Sequence, residues 1–141
     1  MTSTEKIAAL NGAMSALREN AETHGEPSLR DGVLYFGSTA IPKPDFPIVT
    51  SVQSEFGCAA TILVAEGDGF VRTATTMIVD AERAIATPLE ATSPALAPLR
   101  DGQSYQGPAE ILGTQYDAYY EPIIASDGSV IGSFLVAFAT A

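Results

Sequence analysis

Arg72 stands in the run Phe70-Val-Arg-Thr-Ala-Thr-Thr76, a lone guanidinium among apolar and hydroxyl side chains. A fixed guanidinium can hold a carboxylate through two parallel hydrogen bonds, which makes a strand-borne Arg of this kind a candidate anion contact. The plainer alternative is an Arg at a sheet edge, solvated or paired with a surface acid. Tyr105, Tyr116, Tyr119 and Tyr120 gather in the last third of the chain. A tyrosine offers an apolar ring and one hydroxyl, suited to orienting a small polar ligand in an apolar pocket, although aromatic residues also favour strands for packing alone. Strand alternation places Tyr116 and Tyr120 on one face and Tyr119 on the other, and gives Thr76 the face of Arg72. The candidate ligand contacts are Arg72, Tyr116, Tyr120, Tyr105 and Thr76.

Other constellations carry less chemistry. Asp117 and Glu121 share parity and could form an acid/base pair, but carboxylates on a strand of this composition more often face solvent. Gly67-Asp-Gly69 lacks the lysine and following helix of a phosphate loop and reads as a hairpin turn. Cys58 and His24 are the sole residues of their kinds. No intrachain disulfide is possible, a cysteine-based zinc site has too few thiols, and no Cys-His or Ser-His-acid arrangement is suggested. Cys58, opening an apolar run, reads as a small buried hydrophobe. His24 reads as a helix C-terminal residue. No catalytic residue, metal or cofactor is expected, and the chain reads as a non-enzyme.

The 141 residues suit one domain over 1–141, with an N-terminal helix in 1–25 and a core in 28–138. Seven basic against 17 acidic side chains give a formal net charge of -10, which repels nucleic acid and anionic membranes. A small anionic ligand stays possible, because one buried Arg can dominate the local field. No run reaches the ~18 apolar residues that span a bilayer, and the N-terminus lacks a signal-peptide core. The expected location is cytoplasmic for the chain as written, and periplasmic or extracellular if it is an excised receptor domain.

These side chains need elements to position them. Thr2 and Glu5 have capping-box spacing, and Ile7, Leu10, Met14 and Leu17 follow at helical steps, predicting a helix over 3–24 stopped by Gly25. That narrow stripe suits either a sheet or a second copy of the chain. Asp31-Gly32 marks a turn and Val33–Gly37 a strand. After a proline-rich loop, Ile48, Val49, Val52 and Phe56 predict a second helix, with Asp45 as its cap and Pro47 in its first turn. Strands at 59–65 and 70–77 form a hairpin around Glu66-Gly-Asp-Gly69. Residues 78–102 are mostly irregular, with Ser93 capping a short helix over 94–100. Strands at about 104–112, 115–124 and 129–139 complete the pattern, turning at Gly113-Thr114 and Ser126–Ser129. The fold class is α+β with an antiparallel sheet. Apolar residues at both parities of 130–138 predict that both sheet faces are covered. The N-terminal helix is expected on one face, and the 38–57 segment with the 78–102 crossover on the other.

Eight short blocks now stand in order: Arg30-Asp-Gly-Val-Leu-Tyr-Phe-Gly37, Cys58-Ala-Ala-Thr-Ile62, Phe70–Thr76, Ala84-Ile-Ala-Thr-Pro-Leu89, Gly102-Gln-Ser-Tyr-Gln-Gly107, Ile111-Leu-Gly-Thr-Gln-Tyr116, Tyr120-Glu-Pro-Ile123 and Asp127-Gly-Ser-Val-Ile-Gly132. Together they resemble the single Cache family over residues 28–138. The resemblance implies a PAS-like five-stranded antiparallel sheet behind a long N-terminal helix. It implies a sensor for signal transduction or chemotaxis, commonly the extracytoplasmic part of bacterial chemoreceptors and sensor kinases, that binds a small carboxylate or amino acid. The family usually has membrane helices on both sides of the domain, whereas Met1 here opens directly on the helix and Ala141 stands just past the last strand. Thr76 stands where the family often has Asn. The alternative is a dimerisation or interaction module without its own ligand, a homodimer through the N-terminal helix.

Overall fold

The computed structural model describes residues 3–41, 47–79, 82–83, 87–90 and 92–139. Helix α1 runs Ser3–Glu22. The capping role expected of Thr2 lies outside the described residues. Leu10, Ala13, Met14, Leu17 and Ala21 are buried along one side of α1, in one core cluster with Ile62, Val64, Ile123, Phe134 and Val136. The stripe that suits either a sheet or a second copy is therefore used by the chain's own sheet, where each fully buried Leu or Met contributes about 1.5–3 kcal/mol. Ile7 stays 50% exposed.

Beyond α1, strands β1 (Pro27–Arg30), β2 (Val33–Phe36) and β3 (Thr39–Ala40) form a small antiparallel sheet. Asp31 (φ 51°) and Gly32 (φ 78°) turn β1 into β2, the paired positive angles that a two-residue hairpin needs. Strand β1 is not foreshadowed by composition. At the next turn Gly37 (φ 63°) passes under the end of α1, where a Cβ would lie 2.0 Å from the His24 carbonyl oxygen.

Helix α2 (Pro47–Phe56) corrects an expectation. It lies beside α1, not on the opposite face of the sheet, because Ile48, Val49 and Val52 join the α1 cluster. Gly12 eases the fit: a Cβ there would sit 3.1 Å from the Phe56 ring. The expected Asp45 cap lies outside the described residues.

The main sheet contains β4 (Ala59–Glu66), β5 (Gly69–Thr75), β8 (Tyr105–Ile111), β9 (Thr114–Ile124) and β10 (Val130–Ala139). Between β5 and β8 come the short pair β6 (Ile78–Val79) and β7 (Glu82–Arg83), then helix α3 (Leu96–Arg100). The sheet order is β5-β4-β10-β9-β8, antiparallel throughout. This is the expected α+β, PAS-like arrangement. The face away from α1 carries Leu63, Phe70, Ala118, Tyr120 and Leu135, buried with Leu89, Ala95 and Leu99 of the crossover. Ser93 does not cap α3 directly. Its hydroxyl accepts the Ala95 N–H at 3.2 Å one step ahead of the helix, and Ala95 is the N-cap. The outer edge of β5 is occupied: the Arg72 N–H donates to the Thr87 carbonyl and the Leu89 N–H to the Phe70 carbonyl, each at 2.8 Å, with Val71 opposite Pro88. At the far edge, β8 has Pro108 in its middle.

Strand β9 serves both faces by alternation. Tyr116, Ala118 and Tyr120 meet the crossover side. Asp117 and Glu121 face α1, where Asp117 accepts from Lys6 at 2.7 Å and Glu121 from Arg18 at 2.7 and 2.9 Å. Each carboxylate is thus paired with a cation of α1, and the Asp117 side chain keeps about a third of its surface in solvent.

Candidate functional site

A bulge decides what faces the crossover. Leu63 pairs with Arg72 and Ile62 with Ala74, so Thr73 is the extra residue on β5. Its hydroxyl donates to the Ile41 carbonyl on the α1 side. Past the bulge the parity is reversed. Thr75, opposite Thr61, shares the face of Arg72, and the two hydroxyls are 2.8 Å apart. Thr76 falls on the other parity, and its hydroxyl accepts the Ala60 N–H at 3.0 Å. Parity counting from the sequence put Thr76 beside Arg72; the structure puts Thr75 there.

The Arg72 side chain is 0% exposed. Its Nη1 donates to the Thr87 hydroxyl at 3.2 Å and the Pro88 carbonyl at 2.7 Å, and its Nη2 to Glu90 Oε1 at 3.0 Å. Nε is buried with no hydrogen-bond partner. A guanidinium has five N–H donors, so this one is under-used. An unmet buried donor costs about 1–3 kcal/mol, which an arriving acceptor would recover.

Tyr120 is fully buried, and its hydroxyl also lacks a partner at bonding distance. Burial pushes that hydroxyl well above the usual phenol range, against the opposing pull of the Arg72 charge, so the two groups share one field. The nearby Ser93 hydroxyl acts on it as a weak partner outside bonding distance and lowers it, while the Glu90 charge raises it. Tyr105 is the cross-strand neighbour of Tyr120, with ring centroids 6.4 Å apart and planes inclined by 53°. Its hydroxyl donates to the Pro108 carbonyl at 2.7 Å, folding the ring over Gly107. Tyr116 is half-buried on the same face. Between the Tyr105–Tyr120 row and the Ala109–Tyr116 row runs a third, Gly107–Ala118–Ala137–Ala59. Its residues are the smallest available, and the Tyr105 ring folds into the space over Gly107.

Glu90 is the residue that sequence reading missed. It lies in the irregular stretch, and no local spacing marks it. Its side chain is 32% exposed. Oε1 accepts from Arg72, and Oε2 from the Leu112 N–H at 2.8 Å. Burial acts to raise its pKa, but the Leu112 N–H and Arg72 outweigh that and hold the carboxyl below its ordinary value. Glu90 therefore binds fewer protons folded than unfolded. Its contribution to stability is present above the ordinary carboxylate pKa and is lost as pH falls through the depressed folded value. Acid melts should show wild type more stable than Glu90→Gln at pH 7, with the gap closing through the carboxylate range. A gap that ignores pH would mean that the ion pair is not formed in solution.

The other candidates resolve simply. The Cys58 thiol is buried and pushed up to about 11 by that burial, which leaves it protonated and unreactive. Among the described residues no group of three His, Cys, Asp or Glu is placed to hold a metal ion, and no helix is long and apolar enough to cross a membrane. A cleft of about 200 Å³ lies on the α1 side, lined by residues including Lys6, Ile7 and Gln106. Its polar rim is already the Lys6–Asp117 pair, and no buried unpartnered polar atom identified in the structure belongs to its lining.

The sheet order and the long helix behind it define a PAS-like α+β module. The model of the Cache 3/Cache 2 fusion domain matches residues 9–141, and the chain belongs to that family. Cache domains are ligand-binding sensors for signal transduction. No curated protein matches the sequence.

Proposed function

We propose that this domain senses a small organic acid or amino acid, held by its carboxylate on the crossover face of the sheet. One observation carries the reading: Arg72 Nε and the Tyr120 hydroxyl are both buried and both unpartnered, on one face and within one field. A carboxylate is the simplest group to satisfy both, since it accepts from an N–H and an O–H at once. Tyr105 and Tyr116 supply the apolar walls. No covalent step is needed, and the role is recognition coupled to signalling, with chemotaxis or kinase control in a bacterial receptor as the setting. Strand β9 offers a route for the signal. A ligand that shifts Tyr120 moves the backbone carrying Asp117 and Glu121, and these grip α1 at Lys6 and Arg18. A homodimer would use the outer surface of α1, because the inner stripe is occupied.

Calorimetry and thermal melts against acetate, propionate, lactate, succinate and L-alanine test the reading. At 100 times its Kd a true ligand stabilises the fold by about 2.7 kcal/mol. We expect at least one acid to bind below millimolar Kd, with the melting shift abolished in Arg72→Ala. The idea fails if nothing binds better than millimolar and Arg72→Ala leaves every melting shift unchanged.

A further inference from the structure

The guanidinium of Arg72 has a side-on edge formed by Nε and Nη2, the pair of donors that a carboxylate can grip with both oxygens. Glu90 Oε1 takes Nη2 at 3.0 Å, while Nε has no partner. One of the two N–H groups of Nη2 is thus taken, and Nε is left open. Glu90 cannot fill the rest in this arrangement, because its second oxygen holds the Leu112 N–H at 2.8 Å. That bond matters in its own right. Leu112 has φ 53°, a left-handed conformation uncommon for a residue with a side chain, and Gly113 follows at φ 83°. These two residues are the whole turn between β8 and β9. The sequence placed that turn one residue later, at Gly113-Thr114. Glu90 therefore ties three places together: the buried Arg on β5, the crossover segment 87–90, and a constrained turn at the head of β9, the strand that also carries Tyr116 and Tyr120.

We infer that Glu90 is a built-in competitor, a carboxylate of the chain that holds one donor of Arg72 until a ligand carboxylate takes both and releases the Leu112 turn. The inference rests on the acid-sensing reading and adds its switch. A free carboxylate has no second commitment, so it can engage Nε and Nη2 together and satisfy the donor that Glu90 leaves unmet. The displaced Glu90 is already partly exposed and can turn to water. Its departure removes the bond on the Leu112 N–H and the link between crossover and turn. Ligand binding then has a differential effect on two states, as any ligand-driven shift requires. A neutral amide of the same shape lacks the charge to displace Glu90, so the latch also selects for acids.

The test uses the full chain with sodium propionate and propionamide as probes, in wild type and Glu90→Gln, read by calorimetry and by amide hydrogen exchange at Leu112. The expected results are propionate binding at least tenfold tighter to Glu90→Gln, propionamide no better in either protein, and Leu112 exchange in wild type accelerated by saturating propionate. If propionate binds wild type and Glu90→Gln binds it no tighter, or Leu112 protection is unchanged at saturation, the latch is wrong and the acid-sensing reading survives. If neither protein binds propionate or any other acid of the panel, the acid-sensing reading falls and the latch falls with it. The exchange measurement needs no variant, so it stands whatever Glu90→Gln does to the fold.

Discussion

Gly37→Ala is expected to cost at least about 3 kcal/mol, a fall in Tm of roughly 10 °C for a chain of this size. Two effects add. A residue with a Cβ at φ 63° carries strain of about 1–3 kcal/mol. A Cβ at this position also lies 2.0 Å from the His24 carbonyl oxygen, and 3.3 Å from the Gly25 Cα. Both neighbours are backbone, so neither can rotate away, and overpacking of this kind costs a further 1–3 kcal/mol or so. Gly57→Ala separates the two effects. Its φ is 69°, but a Cβ there meets nothing within 4 Å. It should cost about 1 kcal/mol, from backbone strain alone. Equal losses at the two positions, by urea titration, would refute the close approach of the β2–β3 turn to the end of α1.

The second large effect lies at Arg72. Arg72→Met removes the bonds to Thr87, Pro88 and Glu90 and leaves a carboxylate without its cation. Breaking a buried pair by removing one partner costs about 3–5 kcal/mol. Glu90 is partly exposed and keeps its bond to Leu112, so about 3 kcal/mol is expected. The double variant Arg72→Met/Glu90→Gln should lose less than the sum of the single changes, by 1 kcal/mol or so, because the stranded charge is gone. Equilibrium unfolding of all four proteins decides the matter. Additivity to within about 0.5 kcal/mol would mean that Arg72 and Glu90 are not coupled.

The elements with strong local signals were legible. Helix α1, helix α2, the β4–β5 hairpin and the last three strands fall within two residues of expectation, because apolar period and turn glycines are written along the chain. Strand β1 was not, since Pro27–Arg30 becomes a strand only by pairing with β2. The side taken by α2 is set by Ile48, Val49 and Val52 packing into the α1 cluster, a contact between distant segments that no local spacing announces. At the candidate site, Tyr116 and Tyr120 share a face, as alternation predicts, and Arg72 joins them there only through pairing across β4 and β10. Thr76 does not join them because a bulge at Thr73 resets the parity, and no glycine announces it. Glu90 was invisible for a deeper reason. Its role is created by Arg72 and Leu112, 18 and 22 residues away in opposite directions, and an irregular stretch has no period from which to infer either.

The covered rim of the main sheet bears on how these molecules behave in a crowd. An unpaired strand edge is an invitation to add a foreign strand and grow a fibril. Here the Thr87–Leu89 segment occupies the outer edge of β5, and Pro108 removes a donor from the middle of β8. The same strap that carries Glu90 is thus a guard against cross-strand aggregation. A switch that frees this strap cannot free it far: residues 87–89 must stay zipped to β5 while Glu90, at the end of the zipper, swings.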